Sequence, residues 1–177
     1  MTEQQKKSTW FQFLWRISAS HIVSYFIMGV IFSTLLNYKA NFASAALSFM
    51  RPTDSPWVAA GPSLQILRGI LFALVLWPIH EVFLQRKKGW VTLWLLFLGL
   101  AILGTAGPTP GSLEGLIYTK IPIGYQLLGL PEVVLQTLLF SLFVFYWYKK
   151  PAKTWNVFMA IGVGLIVLMS LAGVFLG

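Results

Sequence analysis

The chain has no cysteine and few charged residues, and both shortages narrow what it can be. Without cysteine it can form neither a disulfide framework nor a thiolate metal site. Charged residues make up 10% of its 177 residues, whereas a soluble domain carries about 25%. This composition excludes a disordered protein, a soluble globular enzyme and a large water-exposed domain.

Apolar residues dominate instead, at 57% of the chain with a mean hydropathy of +0.74. A membrane-spanning helix needs about 20 mostly apolar residues, because the hydrocarbon layer is about 30 Å thick. Five stretches meet this need: 17–37, 64–84, 90–107, 131–148 and 154–176. Barrel strands would alternate apolar and polar residues, which these stretches do not do. We therefore expect an all-α polytopic membrane protein, a bundle of five transmembrane helices in a single integral membrane domain, 1–177.

Lysine and arginine are distributed unevenly over the segments between these stretches. Nine of the thirteen lie before the first stretch or in the second and fourth connections: Lys6, Lys7, Arg16, Arg86, Lys87, Lys88, Lys149, Lys150 and Lys153. The other two connections hold Lys39, Arg51 and Lys120. Since cations accumulate on the cytoplasmic side, we expect a cytoplasmic N-terminus and an external C-terminus in a bacterial plasma membrane. Short cationic clusters at helix ends suit an anionic lipid bilayer as partner and do not suit nucleic acid.

Four polar residues are predicted near the outer ends of the second and fourth spans. Arg68 is predicted about 6 Å inside the second span, and Glu132 lies at a comparable depth in the fourth. Gln136 follows Glu132 by one helical turn, and Glu114 lies in the preceding connection. A charge at the bilayer centre costs at least about 2.5–3.5 kcal/mol, so buried charges need a partner. We expect these four residues to form an outer polar cluster that is either a ligand-binding site or a salt bridge locking two helices.

A second polar cluster is predicted at the inner end, with His21, His80 and Glu81. Histidine and glutamate in sequence could relay protons. Two imidazoles could ligate haem, and the three side chains together could hold a metal ion. Pairing with neighbouring polar groups at the membrane interface is the simpler alternative. Because no spacing motif supports a metal or haem site, we expect neither a metal nor a cofactor.

Proline, glycine and serine predict where helices begin and bend. Pro at the first helical position favours a helix start, which predicts starts at Leu130–Glu132 and Gly61–Ser63. Pro78 is predicted to kink the second span, because it lacks the N–H that the helix needs. Ser112 is predicted to cap a short helix, and Phe42–Phe49 to form an interfacial helix.

The sequence contains no phosphate-binding loop, dinucleotide fingerprint, zinc-protease helix or nucleophile elbow. An enzyme is therefore not favoured, and three function classes stay open. The chain could bind or move a small ligand or ion through the outer polar cluster. It could be a non-catalytic partner or assembly subunit of a membrane complex, or a homo-oligomer packed through the small residues Ala160 and Gly164. It could also be a membrane enzyme acting on lipid, with Glu114 or Glu81 as acid or base.

The predicted orientation is testable with alkaline phosphatase, which is active only outside the cytoplasm. A fusion after Gly177 should be active and a fusion after Lys88 inactive, because the cations place these positions on opposite sides. Enzyme activity in intact cells measures the outcome. A Gly177 fusion that works only as a cytosolic reporter would contradict the orientation.

Overall fold

The computed structural model describes residues 9–103 and 107–176, and these two ranges are helical with no strand. The all-α fold class is therefore confirmed. The α-helices of the described ranges are α1 (Trp10–Leu35), α2 (Tyr38–Phe42), α3 (Pro56–Leu76), α4 (His80–Leu84), α5 (Gly89–Leu103), α6 (Leu113–Tyr118), α7 (Ile123–Leu128), α8 (Leu130–Lys149) and α9 (Lys153–Phe175). Two 3₁₀ turns, Ala45–Leu47 and Trp77–Ile79, lie between them.

Four helical segments are long and apolar enough to cross a membrane: Trp10–Leu35, Pro56–Leu84, Ile123–Lys149 and Lys153–Phe175. The described part of α5 is also apolar but has 15 residues, fewer than the about 17 that a span requires. Residues 104–106 of the predicted third span, 90–107, lie outside the described residues. The structure therefore shows four candidate spanning helices, and the fifth stays a prediction.

The first helix begins earlier than the apolar stretch predicts. Thr9 and Gln12 form a capping box, in which the Thr9 hydroxyl accepts from the Gln12 N–H and the Gln12 side chain accepts from the Thr9 N–H. These two bonds satisfy N–H groups that a helix start otherwise leaves free. The helix consequently starts at Trp10 and includes Arg16 in its first turns.

The predicted helix start at Gly61–Ser63 is wrong. Helix α3 begins at Pro56, directly after Ser55, and Pro62 lies inside it. Pro56 fits the first helical position because a proline there loses no hydrogen bond. Pro62 removes one N–H from the helix, which neighbouring helices in a membrane bundle can compensate.

Other predicted helix ends are confirmed. Helix α8 starts at Leu130 with Glu132 in its first turn, and Ser112 caps α6 by accepting from the Gly115 N–H at 2.9 Å. At Pro78 the α-helical pattern gives way to the 3₁₀ turn Trp77–Ile79. The predicted helix over Phe42–Phe49 is wrong: α2 ends at Phe42, and the rest of that segment forms only a short turn.

Helix α1 lies at the centre of the bundle and packs against α3, α8 and α9. All residues of the run 17–24 are buried. In the most apolar 18-residue stretch of α1, half of the residues are buried. The buried share is 17–22% in the corresponding stretches of the other three candidate spanning segments. We call the end of the bundle with the C-terminus of α1 and the N-termini of α3 and α8 the outer end, and the opposite end the inner end.

Small residues let α3 approach two neighbours closely. A Cβ atom at Gly69 would lie 2.7 Å from the Ser18 Cα of α1. Near the outer end, the Ser170 hydroxyl of α9 donates to the Ala59 carbonyl at 2.6 Å. Membrane helices associate mainly through such close packing and interhelical hydrogen bonds. These contacts hold α3 between α1 and α9.

Replacing Gly69 by alanine should destabilise the bundle. The added methyl has no room against the Ser18 backbone, and overpacking costs about 1–3 kcal/mol. The matched control is Gly99→Ala, since a Cβ there meets nothing within 4 Å and alanine favours a helix. Thermal unfolding in detergent should show a lower midpoint for Gly69→Ala and no loss for Gly99→Ala. Equal midpoints would show that α1 and α3 do not depend on this contact.

Candidate functional site

A cavity of about 740 Å³ lies between the outer ends of the helices. Its walls come from the last turns of α1, from α2 and the segment after it, from the first turns of α3, and from the junction of α7 and α8. A volume of this size is typical of pockets that hold a drug-sized molecule. We call it the outer cavity.

The lining of the outer cavity is mostly apolar. Its larger apolar and aromatic side chains include Phe26, Phe42, Leu47, Met50, Trp57 and Leu128. Gly29 and Gly61 also line it, and a Cβ atom at Gly29 would meet nothing within 4 Å. The absence of side chains at these positions therefore leaves space between α1 and α3.

A hydrogen bond joins two residues that line the outer cavity from different helices. The Tyr38 hydroxyl of α2 donates to the Glu132 carboxylate in the first turn of α8. The Tyr38 ring also stacks on Phe42, with ring centroids 5.0 Å apart. Burial, followed by the hydrogen bond to Glu132 and the negative charge of that carboxylate, raises the pKa of Tyr38 above its usual range. The bond thus ties the first outer connection to the start of α8.

The local sequence places Glu132 at this point. Pro131 lies in the first turn of α8, directly before Glu132. Free N–H groups at a helix start favour a negative charge nearby. Among the described residues that line the outer cavity, Glu132 is the single formally charged side chain.

A glutamine holds the neighbouring wall in place. The Gln126 side chain is 2% exposed and makes three hydrogen bonds. Its amide nitrogen donates to the Gly115 carbonyl at 2.9 Å and to the Thr119 hydroxyl at 2.8 Å, and its oxygen accepts from the Gly111 N–H at 2.9 Å. Gly111 has a positive φ of 84°, which glycine adopts without strain. This network fixes α6, α7 and the turn before them beside the cavity.

Of the predicted outer polar cluster, only Glu132 lines the cavity. Arg68 is exposed on the surface of α3. Gln136 and Glu114 are half-buried outside the cavity lining. Over residues 9–103 and 107–176, no ion pair joins Arg68 to Glu132. The partner of the Glu132 carboxylate is the Tyr38 hydroxyl instead.

The predicted inner polar cluster is also divided. His21 is buried and its Nε2 donates to the Gln65 side-chain oxygen at 3.1 Å, while the Gln65 amide donates to the Gly61 carbonyl at 3.1 Å. The rings of Phe72 and Phe140 lie against His21, with centroids 4.8 and 5.8 Å away. His21 therefore joins α1 to α3 in the middle of the bundle, below the outer cavity.

His80 and Glu81 stay at the inner end. The His80 ring stacks on Trp77 with centroids 4.6 Å apart, and its Nδ1 donates to the Trp77 carbonyl at 2.5 Å. Glu81 is exposed. Phe13 contacts the His80 ring and precedes His21 by eight helical residues, about 12 Å along α1. In the described part of the chain, no group of three His, Asp or Glu side chains could hold a metal ion.

Sequence reasoning missed Tyr38 and Gln65. Gln65 was detectable, because an amide inside a membrane span needs a hydrogen-bond partner. Tyr38 follows the first span, and nothing in its local sequence indicates that its hydroxyl reaches a helix start far along the chain.

No known family model matches the sequence, and no curated protein or solved structure shows significant similarity to it. The outer cavity and its polar contacts are therefore the basis for proposing a function.

Replacing Tyr38 by phenylalanine should lower the free energy of unfolding by about 2 kcal/mol, the usual value for a hydrogen bond to a charged group. Tyr118→Phe is the control, because that side chain is 74% exposed. Unfolding in detergent at neutral pH measures both variants.

The effect should also depend on pH. Since the pKa of Tyr38 is raised in the folded chain, its stabilisation is fully present from neutral pH up to about pH 10, the pKa of an unperturbed tyrosine. It is lost as the pH rises through the raised pKa. Equal stability of the wild type and Tyr38→Phe at neutral pH would show that the bond to Glu132 contributes nothing.

Proposed function

We propose that this chain is an integral membrane protein that binds a small, mainly apolar molecule in the outer cavity. The observation that carries the proposal is the cavity itself, with its volume of about 740 Å³ and the carboxylate of Glu132 in its wall. Binding sites for small molecules are concave and apolar, with a few polar groups that orient the ligand. Glu132 and Tyr38, joined by their hydrogen bond, are two of the polar groups of this site.

The interior below the cavity favours binding over passage through the bundle. Tyr25 lines the cavity, and the His21–Gln65 hydrogen bond lies one helical turn beneath it on α1. Further inward, buried Phe13, Ile17 and Leu76 belong to a continuous apolar core. A polar solute entering from the outer end would have to displace the His21–Gln65 hydrogen bond and then the apolar core beneath it. The cavity is therefore proposed as a binding site closed at its inner side.

The proposed setting is the plasma membrane of a bacterium, with the N-terminus in the cytoplasm. Under this proposal α5 is a fifth span and the outer cavity faces the external side. The cation distribution supports the orientation, because the exposed Arg86, Lys87 and Lys88 lie at the inner end. The Lys149 ammonium donates to the Gln85 carbonyl at 3.3 Å and brings a second cationic turn beside them.

A cavity-filling variant tests the proposed binding. The neutral apolar dye N-phenyl-1-naphthylamine accepts excitation energy from tryptophan, and Trp57 lines the cavity. Purified wild type in lipid nanodiscs should show saturable energy transfer to the dye. Gly29→Leu should weaken the apparent affinity at least about tenfold, because the new side chain occupies the cavity.

The matched control is Gly99→Leu, which places the same side chain in open space on α5. It should bind the dye like the wild type. Non-saturable transfer in the wild type, or equal affinities for the two leucine variants, would contradict binding in the outer cavity.

A further inference from the structure

We propose that the ligand of the outer cavity is a lipophilic cation, such as a substituted ammonium, held by the Glu132 carboxylate. This inference rests on the proposed function, because it names the chemical class that the same cavity takes. Two independent features lead to it, the lack of a countercharge for Glu132 and the aromatic character of the walls.

Glu132 has no cationic partner in the described ranges 9–103 and 107–176. Its carboxylate is half-buried and accepts one hydrogen bond, from Tyr38. The helix start of α8 supplies partial positive charge, equivalent to about half an elementary charge. A carboxylate away from water still favours a full opposite charge nearby. The cavity beside it is the open space in which such a charge can sit.

Aromatic rings line much of the remaining wall. Tyr25, Tyr38, Phe42, Trp57 and Tyr125 all contribute to it. Aromatic rings attract cations through their negative faces, and sites for quaternary ammonium ligands combine several rings. An anion would meet these same rings and Glu132, with no lysine, arginine or histidine among the described lining residues. The chemistry of the walls therefore selects positive charge.

The nearby cations do not reverse this preference. The Arg51 guanidinium lies 5.4 Å from the centroid of the Trp57 ring and is exposed, as is Asp54 three residues further on. A charge that is exposed to water acts weakly on other groups, because the high dielectric constant of water reduces the interaction. Arg68 is exposed and does not line the cavity. Glu132 is thus the charge that a ligand inside the cavity meets directly.

The absence of native cysteine makes a charge-selective labelling test possible. A single Gly29→Cys variant places a thiol in the cavity, and Ser48→Cys places one on the exposed outer connection. Each is reacted in nanodiscs with 2-(trimethylammonium)ethyl methanethiosulfonate and with its anionic 2-sulfonatoethyl counterpart. The ratio of the two rates cancels differences in thiol reactivity. We expect the cation-to-anion ratio at Gly29→Cys to exceed that at Ser48→Cys by about tenfold or more, as a carboxylate in a low-dielectric site requires.

Variants of the carboxylate identify its role. Glu132→Gln keeps an acceptor for Tyr38 but removes the charge, and should bring the ratio to within about twofold of the Ser48→Cys reference. Glu132→Asp should retain most of the selectivity. Glu114→Gln is the matched control, since it removes an outer carboxylate that does not line the cavity. Tetraphenylphosphonium should slow the labelling of Gly29→Cys, and tetraphenylborate should not.

Dye binding separates the two proposals and reports on folding of each variant. If the dye binds but the ratio equals the reference, the cavity binds ligands and the cation proposal is overturned. A raised ratio that persists in dye-binding Glu132→Gln would overturn the role of Glu132. If the wild type binds no dye, the proposed function itself is overturned.

Discussion

Hydrocarbon offers no hydrogen-bonding partner to a protein, so each polar group inside this bundle depends on another group of the chain. Two polar residues of the core illustrate the constraint. Gln65 uses its oxygen for His21 and its nitrogen for the Gly61 carbonyl, and Ser141 returns its hydroxyl to the Thr137 carbonyl at 2.7 Å. Of these bonds, the one between His21 and Gln65 joins two helices, and it therefore helps to fix the register of α1 against α3.

The same constraint explains why Glu132 stands apart. It is half-buried, and within the described chain its side chain has Tyr38 and the helix start of α8 for support. An ion pair with an arginine would also stabilise this carboxylate, but Arg68 is exposed on the surface of α3. A carboxylate stabilised only by a phenol and a helix start is compatible with folding and retains the capacity to attract a cation.

Much of the fold could be predicted from the sequence, because apolar length and helix-end chemistry are local properties. The helix start at Leu130, the interruption at Pro78 and the cap at Ser112 all depend on residues within a few positions. The candidate site depended on which face of each helix meets a neighbour. Arg68 and Glu132 lie at similar predicted depths, but depth does not specify rotation about the helix axis. Membrane helices with apolar residues all round carry little signal for that rotation.

The central position of α1 has a consequence for biosynthesis. It is synthesised before α3, α8 and α9, the three helices against which it packs. Until α9 has been made, Ala19, Ile22 and Val23 of α1 lack Met159 and Ile166, which belong to the same buried cluster. The buried environment of α1 is therefore complete only after the synthesis of α9.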